Sequence, residues 1–223
     1  NAATITETLD VPLIADADTG YGGVLNVRRT VRQYERAGVA AIHIEDQESP
    51  KRCGHLDDKK VISTEDMVQK IRAAVDARTD DDFTIIVRTD SIAVTGWDDA
   101  MHRCNEYVKA GADVLFVEAL RTTEEVERAA KNLDIPLLFN FVESGKSPLL
   151  SASELEKLGF KIVIYPASAL LSVTHIVGQV MAELKETGTT AHLMDKMVSL
   201  EDCFEEMGLS SMLAEDAQFA SPG

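Results

Sequence analysis

One unit recurs along this chain and restricts its fold more than any other feature. A helical pattern stops at a glycine, a short unbroken apolar run follows, and the run ends in an acidic or polar residue. The glycine stops are Ala37-Gly38-Val39, Ala110-Gly111-Ala112 and Leu158-Gly159-Phe160, since glycine takes the left-handed conformation that closes a helix. The apolar runs cover residues 11–15, 40–44, 83–87, 114–117, 136–141 and 160–165. They are continuous rather than alternating, which is how parallel strands buried on both faces read. Helical patterns separate them at residues 26–37, 63–76, 98–110, 123–132 and 151–158. Ser63 with Asp66, Thr122 with the following acids, and Ser151 with Glu154 mark helix starts.

A βα repeat of about 30 residues leads to two architectures. A closed (β/α)8 barrel needs eight strands, and six are counted in this chain. The first run then stands as the third strand of the barrel. The chain opens on a short polar lead with no preceding helix, so the first two strands are expected to be absent from it. An open doubly wound sheet would need no missing strands. Polar residues at nearly every strand end favour the barrel, as one domain over residues 1–223. After the last strand, residues 171–186 read as a helix and 193–207 as an amphipathic stretch. This tail, residues 171–223, can pack on its own barrel or on a neighbour's.

Composition narrows the class. Hydrophobic residues make up 45% and aromatics 5%, as suits an α/β protein rich in small aliphatics. The net charge of −16 argues against nucleic acid or an anionic membrane as partner. Three cysteines do not form a disulfide framework. A reducing compartment follows, read as the cytoplasm, with an organelle left open because a leading segment could precede Asn1. No apolar run approaches the roughly 18 residues of a membrane span.

The strand ends carry the chemistry. They are Asp16 and Asp18, Glu45 and Asp46, Arg88 and Asp90, Glu118, Asn140 and Glu143, and Tyr165 with Pro166. In a barrel these residues share one mouth. Carboxylates this dense repel one another unless a cation sits among them. Hard oxygen ligands suit Mg²⁺ or Mn²⁺ and suit zinc poorly. One arginine opposite such a cation can clamp a substrate carboxylate in a bidentate way. Asp46 and Asp90 read equally well as caps or partners of lysines. Cys53 lies in a segment, residues 50–60, without helical or strand pattern. It is a proton donor or nucleophile, whereas Cys104 and Cys203 fall in helical patterns as apolar fillers. His55 reads as a ligand, an acid–base group or a loop hydrogen bonder. His43, His102, His175 and His192 show no partner spacing and read as structural. Gly20, Gly22 and Gly23 lack the following Lys-Ser/Thr of a phosphate loop and read as a turn.

Asp16-Ala-Asp18-Thr-Gly-Tyr-Gly, Ile44-Glu45-Asp46-Gln and Lys51-Arg-Cys53-Gly-His55 resemble the isocitrate lyase/phosphoenolpyruvate mutase superfamily. The resemblance covers essentially the whole chain. It implies a Mg²⁺-dependent (Mn²⁺ being the substitute) barrel whose cysteine loop closes over a 2-oxo or 2-hydroxy acid. It also implies a homotetramer with C-terminal helices exchanged between subunits. Carried over by position, Asp16 and Asp18 bind the metal and Glu45 holds its waters. Arg88 grips a substrate carboxylate, and Glu118 and Asn140 line the pocket. Cys53 is the catalytic acid, Gly54 offers a backbone contact, and Lys51 and His55 belong to the gating loop.

Departures within the superfamily select among substrates. Mutases acting on P–C bonds have no cysteine at the Cys53 position. Methylisocitrate lyases carry an arginine where this chain has Leu171. Oxaloacetate acetylhydrolases tend to have serine where this chain has Pro166. The resemblance therefore implies carbon–carbon cleavage of a substituted malate, such as 2,3-dimethylmalate, to pyruvate and a carboxylate. Hydrolysis of oxaloacetate, methylisocitrate cleavage and an inactive barrel fragment are the competing expectations.

Overall fold

The computed structural model describes residues 1–54 and 58–219. Residues 1–168 form one compact unit and residues 169–223 a second. The first unit holds six strands, β1 (Ile14–Asp16), β2 (Ala41–Glu45), β3 (Thr84–Thr89), β4 (Val114–Val117), β5 (Leu137–Asn140) and β6 (Phe160–Ile164). They form a single sheet in sequence order with every pairing parallel. The helices are α1 (Ala2–Thr8), α2 (Val24–Arg36), α3 (Thr64–Ala77), α4 (Trp97–Ala110), α5 (Thr123–Asn132) and α6 (Ala152–Leu158). Strand, helix and next parallel strand in unbroken alternation make a curled, partial (β/α) barrel.

Local sequence explains the element ends. Ser63 Oγ accepts the Asp66 N–H at the start of α3, and Thr122 Oγ1 accepts the Glu125 N–H at the start of α5. Ser151 and Glu154 form a reciprocal capping box on α6. Gly111 and Gly159 take φ of +105° and +102° to close α4 and α6, a conformation disfavoured for residues with a Cβ.

The unbroken apolar runs conceal an alternation that the sheet resolves. Ile42, Ile44, Ile85, Val87, Leu115, Val117, Leu137 and Phe139 join the helices in the larger core. Ala41, Ile86, Val114, Phe116 and Leu138 form a smaller cluster with Ile14, Ile162 and Ile164. That second cluster lies on the concave face, as in a barrel interior filled by layers of side chains. Along each strand the same face continues into the polar ends: Ala41, His43, Glu45; Ile86, Arg88; Val114, Phe116, Glu118; Leu138, Asn140. The register places Asp16 beside His43 and Glu45 beside Arg88. A two-residue side-chain period thus delivers the charged residues to one mouth above an apolar floor.

One expectation is corrected. The lead is not free of helix: Ala2–Thr8 is helical. Ala2 packs on the main core and Thr6 Oγ1 donates to the Ala37 carbonyl at the end of α2, tertiary anchors invisible to periodicity. The amphipathic stretch 193–207 spans two elements. A 3₁₀ turn (Ala191–Lys196) gives way to α8 (Leu200–Glu206), because Met197 is extended and Ser199 begins a new helix by accepting the Asp202 N–H.

The second unit begins within α7 (Ser168–Thr187) and ends with α8 and α9 (Leu209–Phe219). Its internal ties include His192 Nδ1 with Glu183 Oε1 at 2.8 Å, and Lys196 Nζ donating to Gln179 at 3.0 Å. Leu171, Val173, Val177 and Met181 on α7 are exposed. Among the described residues no helix is long and apolar enough to cross a membrane.

Candidate active site

The site begins where β1 and β2 end. Asp16 Oδ1 accepts the Asp18 N–H at 2.8 Å. The Asp18 carbonyl accepts the Glu45 N–H at 2.8 Å, and the His43 carbonyl accepts the Ala17 N–H. These backbone ties fold the Asp16–Asp18 turn against β2, with Asp18 at φ +50°. Burial works against the Asp16 carboxylate, but His43, the Asp18 N–H and Lys51 outweigh it and hold its pKa below the ordinary value. Glu45 is fully buried. Burial outweighs the Arg88 charge there and pushes Glu45 up to about 7. Among the described residues neither Glu45 oxygen has a hydrogen-bond donor. Its charge is met by ion pairs without a formed hydrogen bond, from Arg88 Nε at 3.3 Å and Lys51 Nζ at 3.8 Å.

Lys51 reaches into this acidic corner. Its Nζ stands 2.8 Å from Asp18 Oδ1, 3.6 Å from Asp16 Oδ2 and 3.8 Å from Glu45 Oε2. The ammonium supplies positive charge where three carboxylates converge. The donor atoms of Asp16, Asp18 and Glu45 are all oxygens, the type a hard cation prefers, but among the described residues no three such side chains form a group that could hold a metal ion. Two of the three acids are at least partly open to solvent, as a cation that keeps waters requires.

Arg88 forms the opposite wall. Its Nε donates to Asp90 Oδ2 at 2.9 Å and lies 3.3 Å from Glu45, while Nη2 pairs with Glu118 Oε2 at 3.0 Å. The guanidinium also lies 4.8 Å above the Phe116 ring. Burial opposes its charge, but Glu118, Asp90 and Glu45 more than compensate and raise its pKa. Glu118 accepts from Asn140 Nδ2 at 3.1 Å and from the Ala119 N–H at 2.9 Å. Both Glu118 and Asn140 are buried.

The cysteine segment lies over these same strand ends. Gln47 fixes its base by donating to the Arg52 carbonyl and accepting the Arg52 N–H, each at 2.9 Å. Gly54 then approaches so closely that a Cβ there would stand 2.6 Å from Glu118 Cγ and closer still to Arg88 Nη2. Only glycine fits beneath that approach. Cys53, one residue before, is exposed and unpaired with another cysteine.

Residues 1–185 match the family model for phosphoenolpyruvate phosphomutase. The chain belongs to this family. It is 44% identical over 220 residues to 2,3-dimethylmalate lyase of Eubacterium barkeri, covering 99% of this chain and 76% of that one. It is equally identical over 214 residues to a 2-methylisocitrate lyase of Aeropyrum pernix, covering 96% and 69%. Among solved structures, a 2,3-dimethylmalate lyase described as a PEP mutase/isocitrate lyase superfamily member superposes with a TM-score of 0.91 at 41% identity over 99% of this chain and 74% of that one. An oxaloacetate acetylhydrolase bound to 3,3-difluorooxalacetate gives 0.92 at 37%, covering 100% and 76%. A phosphonopyruvate hydrolase in complex with oxalate and Mg²⁺ gives 0.85 at 31%, covering 98% and 76%. This member of the phosphoenolpyruvate phosphomutase family is a carbon–carbon lyase.

In this family member the strand ends bring together Asp16, Asp18, Glu45, Arg88, Glu118 and Asn140, with Lys51, Cys53 and Gly54 laid over them. Pro166 lies exposed two residues past β6 and takes no part in the hydrogen-bonded cluster. His55 lies outside the described residues. Asp46 turns the other way: it is buried, accepts from the Thr89 and Tyr107 hydroxyls and the Asp90 N–H, and braces β3 from behind. Two residues escaped the sequence reading. His43 faces the barrel interior 3.6 Å from Asp16, a placement its alternation with Glu45 would have revealed. Lys59 is buried against Asp90, and nothing in its polar surroundings in the sequence signals that.

Proposed function

We propose that the chain is a Mg²⁺-dependent lyase of a 2-hydroxy dicarboxylate, with 2,3-dimethylmalate as the substrate type. Asp16 and Asp18 hold the cation and Glu45 its waters. When bound, the cation lowers the pKa of a 2-hydroxyl and neutralises the adjoining carboxylate. Once a general base takes that hydroxyl's proton, the C2–C3 bond breaks, its electron pair passes to C3, and C2 becomes the ketone of pyruvate. Arg88 lies beside the second carboxylate and stabilises the charge that develops there. Glu118 and Asn140 keep Arg88 oriented and line the pocket. Cys53 gives its proton to C3 as the general acid. Lys51 and His55 belong to the loop that carries Cys53, and Gly54 lets its backbone reach the substrate. Pro166 shapes the rim.

The observation that carries this reading is the close seating of Gly54 on Arg88 and Glu118, beside a Lys51 that reaches Asp18. It sets the thiol segment over the carboxylates rather than at the other end of the sheet. The leucine at position 171 favours a dicarboxylate over methylisocitrate's three carboxylates. Oxaloacetate hydrolysis is the runner-up, supported by the high similarity to the acetylhydrolase structure. The exposed apolar residues of α7 support self-association through residues 171–223, which we read as the helix exchange of a homotetramer. The test is to incubate the full-length protein and Mg²⁺ with 2,3-dimethylmalate, 2-methylisocitrate and oxaloacetate. Pyruvate and propionate from the first, read by mass, support the assignment; oxalate and acetate from the last would replace it.

A further inference from the structure

Lys59 is a buried cation with no role in the chemistry above. Its residue exposure is 7% and its side chain's 1%. The ammonium lies 3.0 Å from Asp90 Oδ1 and also donates to the Gly54 carbonyl. Asp90 is the same carboxylate that receives Arg88 Nε at 2.9 Å and Nη2 at 3.2 Å. One carboxylate therefore ties the substrate-side arginine to a lysine that grips the backbone next to Cys53.

The surroundings fix this arrangement from behind. Glu48 donates its N–H to the Lys60 carbonyl, and Gln47 pairs with Val61 in an antiparallel bridge. The chain on either side of Lys59 is thereby stitched to the end of β2. Asp90 in turn is anchored through its own N–H to Asp46. A buried ammonium needs its partners kept, and two of its partners come from parts of the site that must cooperate: the thiol-bearing segment and the arginine wall.

We propose that Lys59 is a positioning residue: it latches the Cys53–Gly54 segment onto Asp90 and so couples the seating of the thiol to the orientation of Arg88. The inference rests on the reading of Cys53 as the proton donor. Its test reads seating without needing a substrate, so the two can fail separately. A misplacement of the thiol by the order of 1 Å is enough to matter, since such shifts cost about 10²-fold in rate.

The experiment measures alkylation of Cys53 by N-ethylmaleimide in the full-length protein, with and without Mg²⁺ and oxalate, followed by peptide mass mapping. Mapping separates Cys53 from the buried Cys104 and from Cys203. The wild type is expected to be protected about 10-fold or more by the two probes together, as closing segments exclude solvent. Lys59→Met is expected to fold, to lose that protection to within about 2-fold, and to lose kcat by about 10²-fold with KM nearly unchanged. Lys59→Arg should restore most of the protection. A folded Lys59→Met that keeps both protection and kcat would overturn the proposal. So would a wild type showing no protection, and so would a Lys59→Met chain that fails to fold, because the lysine would then be a structural residue only. Loss of protection together with unaltered turnover in Cys53→Ser would instead uphold the latch and reject Cys53 as the donor.

Discussion

Gly54 sits on Glu118 with no room for a side chain: a Cβ on the glycine would lie 2.6 Å from Glu118 Cγ. Glu118 cannot retreat, because it holds Arg88 at 3.0 Å and Asn140 at 3.1 Å. The glycine is therefore the point at which the thiol-bearing segment meets the fixed wall of the site.

Gly54→Ala should lift the segment off that wall. The fold should be untouched, because the crowding is relieved by moving a loop rather than the core. We expect the thermal midpoint to fall by about 2–4 °C, as suits the loss of about 1 kcal/mol when Lys59 gives up the Gly54 carbonyl but keeps Asp90. We expect kcat/KM to fall by about 10²-fold. Steady-state kinetics beside a melting curve checks both, and wild-type kinetics would refute the seating described here.

Arg88→Lys keeps the charge and removes the fork. A lysine cannot meet Asp90 through two nitrogens while also reaching Glu118. The buried carboxylates Glu45, Glu118 and Asp90 would lose part of their compensation. Removing one partner from such a buried set costs about 3–5 kcal/mol, so a conservative exchange should cost part of that. Urea melts should show a lower midpoint, and kcat/KM should fall by about 10²-fold or more.

The fold was legible because its signals are local. Glycine stops and capping residues marked the helix ends to within a few residues, and unbroken apolar runs marked all six strands. The orientation of the polar strand ends was legible only in part. Glu45 and Asp46 are adjacent and acidic, yet alternation sends the first into the mouth and the second behind β3. His43 shares a face with Glu45 and should have been read with it. Lys59 was illegible for a different reason: its burial depends on a long-range pairing with Asp90 that no local pattern encodes. The helix Ala2–Thr8 was missed on the same ground, since its anchor is the end of α2.

Glu45 gives a pH signature. Its folded pKa of about 7 exceeds the ordinary 4.5, so the native state favours the protonated form. The stability it contributes is fully present below about pH 4.5 and is lost as pH rises through 7. Without added metal, the melting temperature of wild type relative to Glu45→Gln should therefore fall across that window. Mg²⁺ should raise the wild-type midpoint more above pH 7 than at pH 5, because the cation favours the carboxylate. A wild-type-minus-variant difference that is flat with pH would refute the assignment.

In the proposed mechanism a cation at Asp16 and Asp18 holds the oxyacid while Cys53 supplies the proton to the departing half. Cys53→Ser, assayed for pyruvate release from 2,3-dimethylmalate and titrated with Mg²⁺ and oxalate by calorimetry, tests it most directly. Turnover is expected to fall by about 10²-fold or more with oxalate affinity and its Mg²⁺ requirement intact. Turnover equal to wild type, or loss of oxalate binding in step with activity, would contradict it.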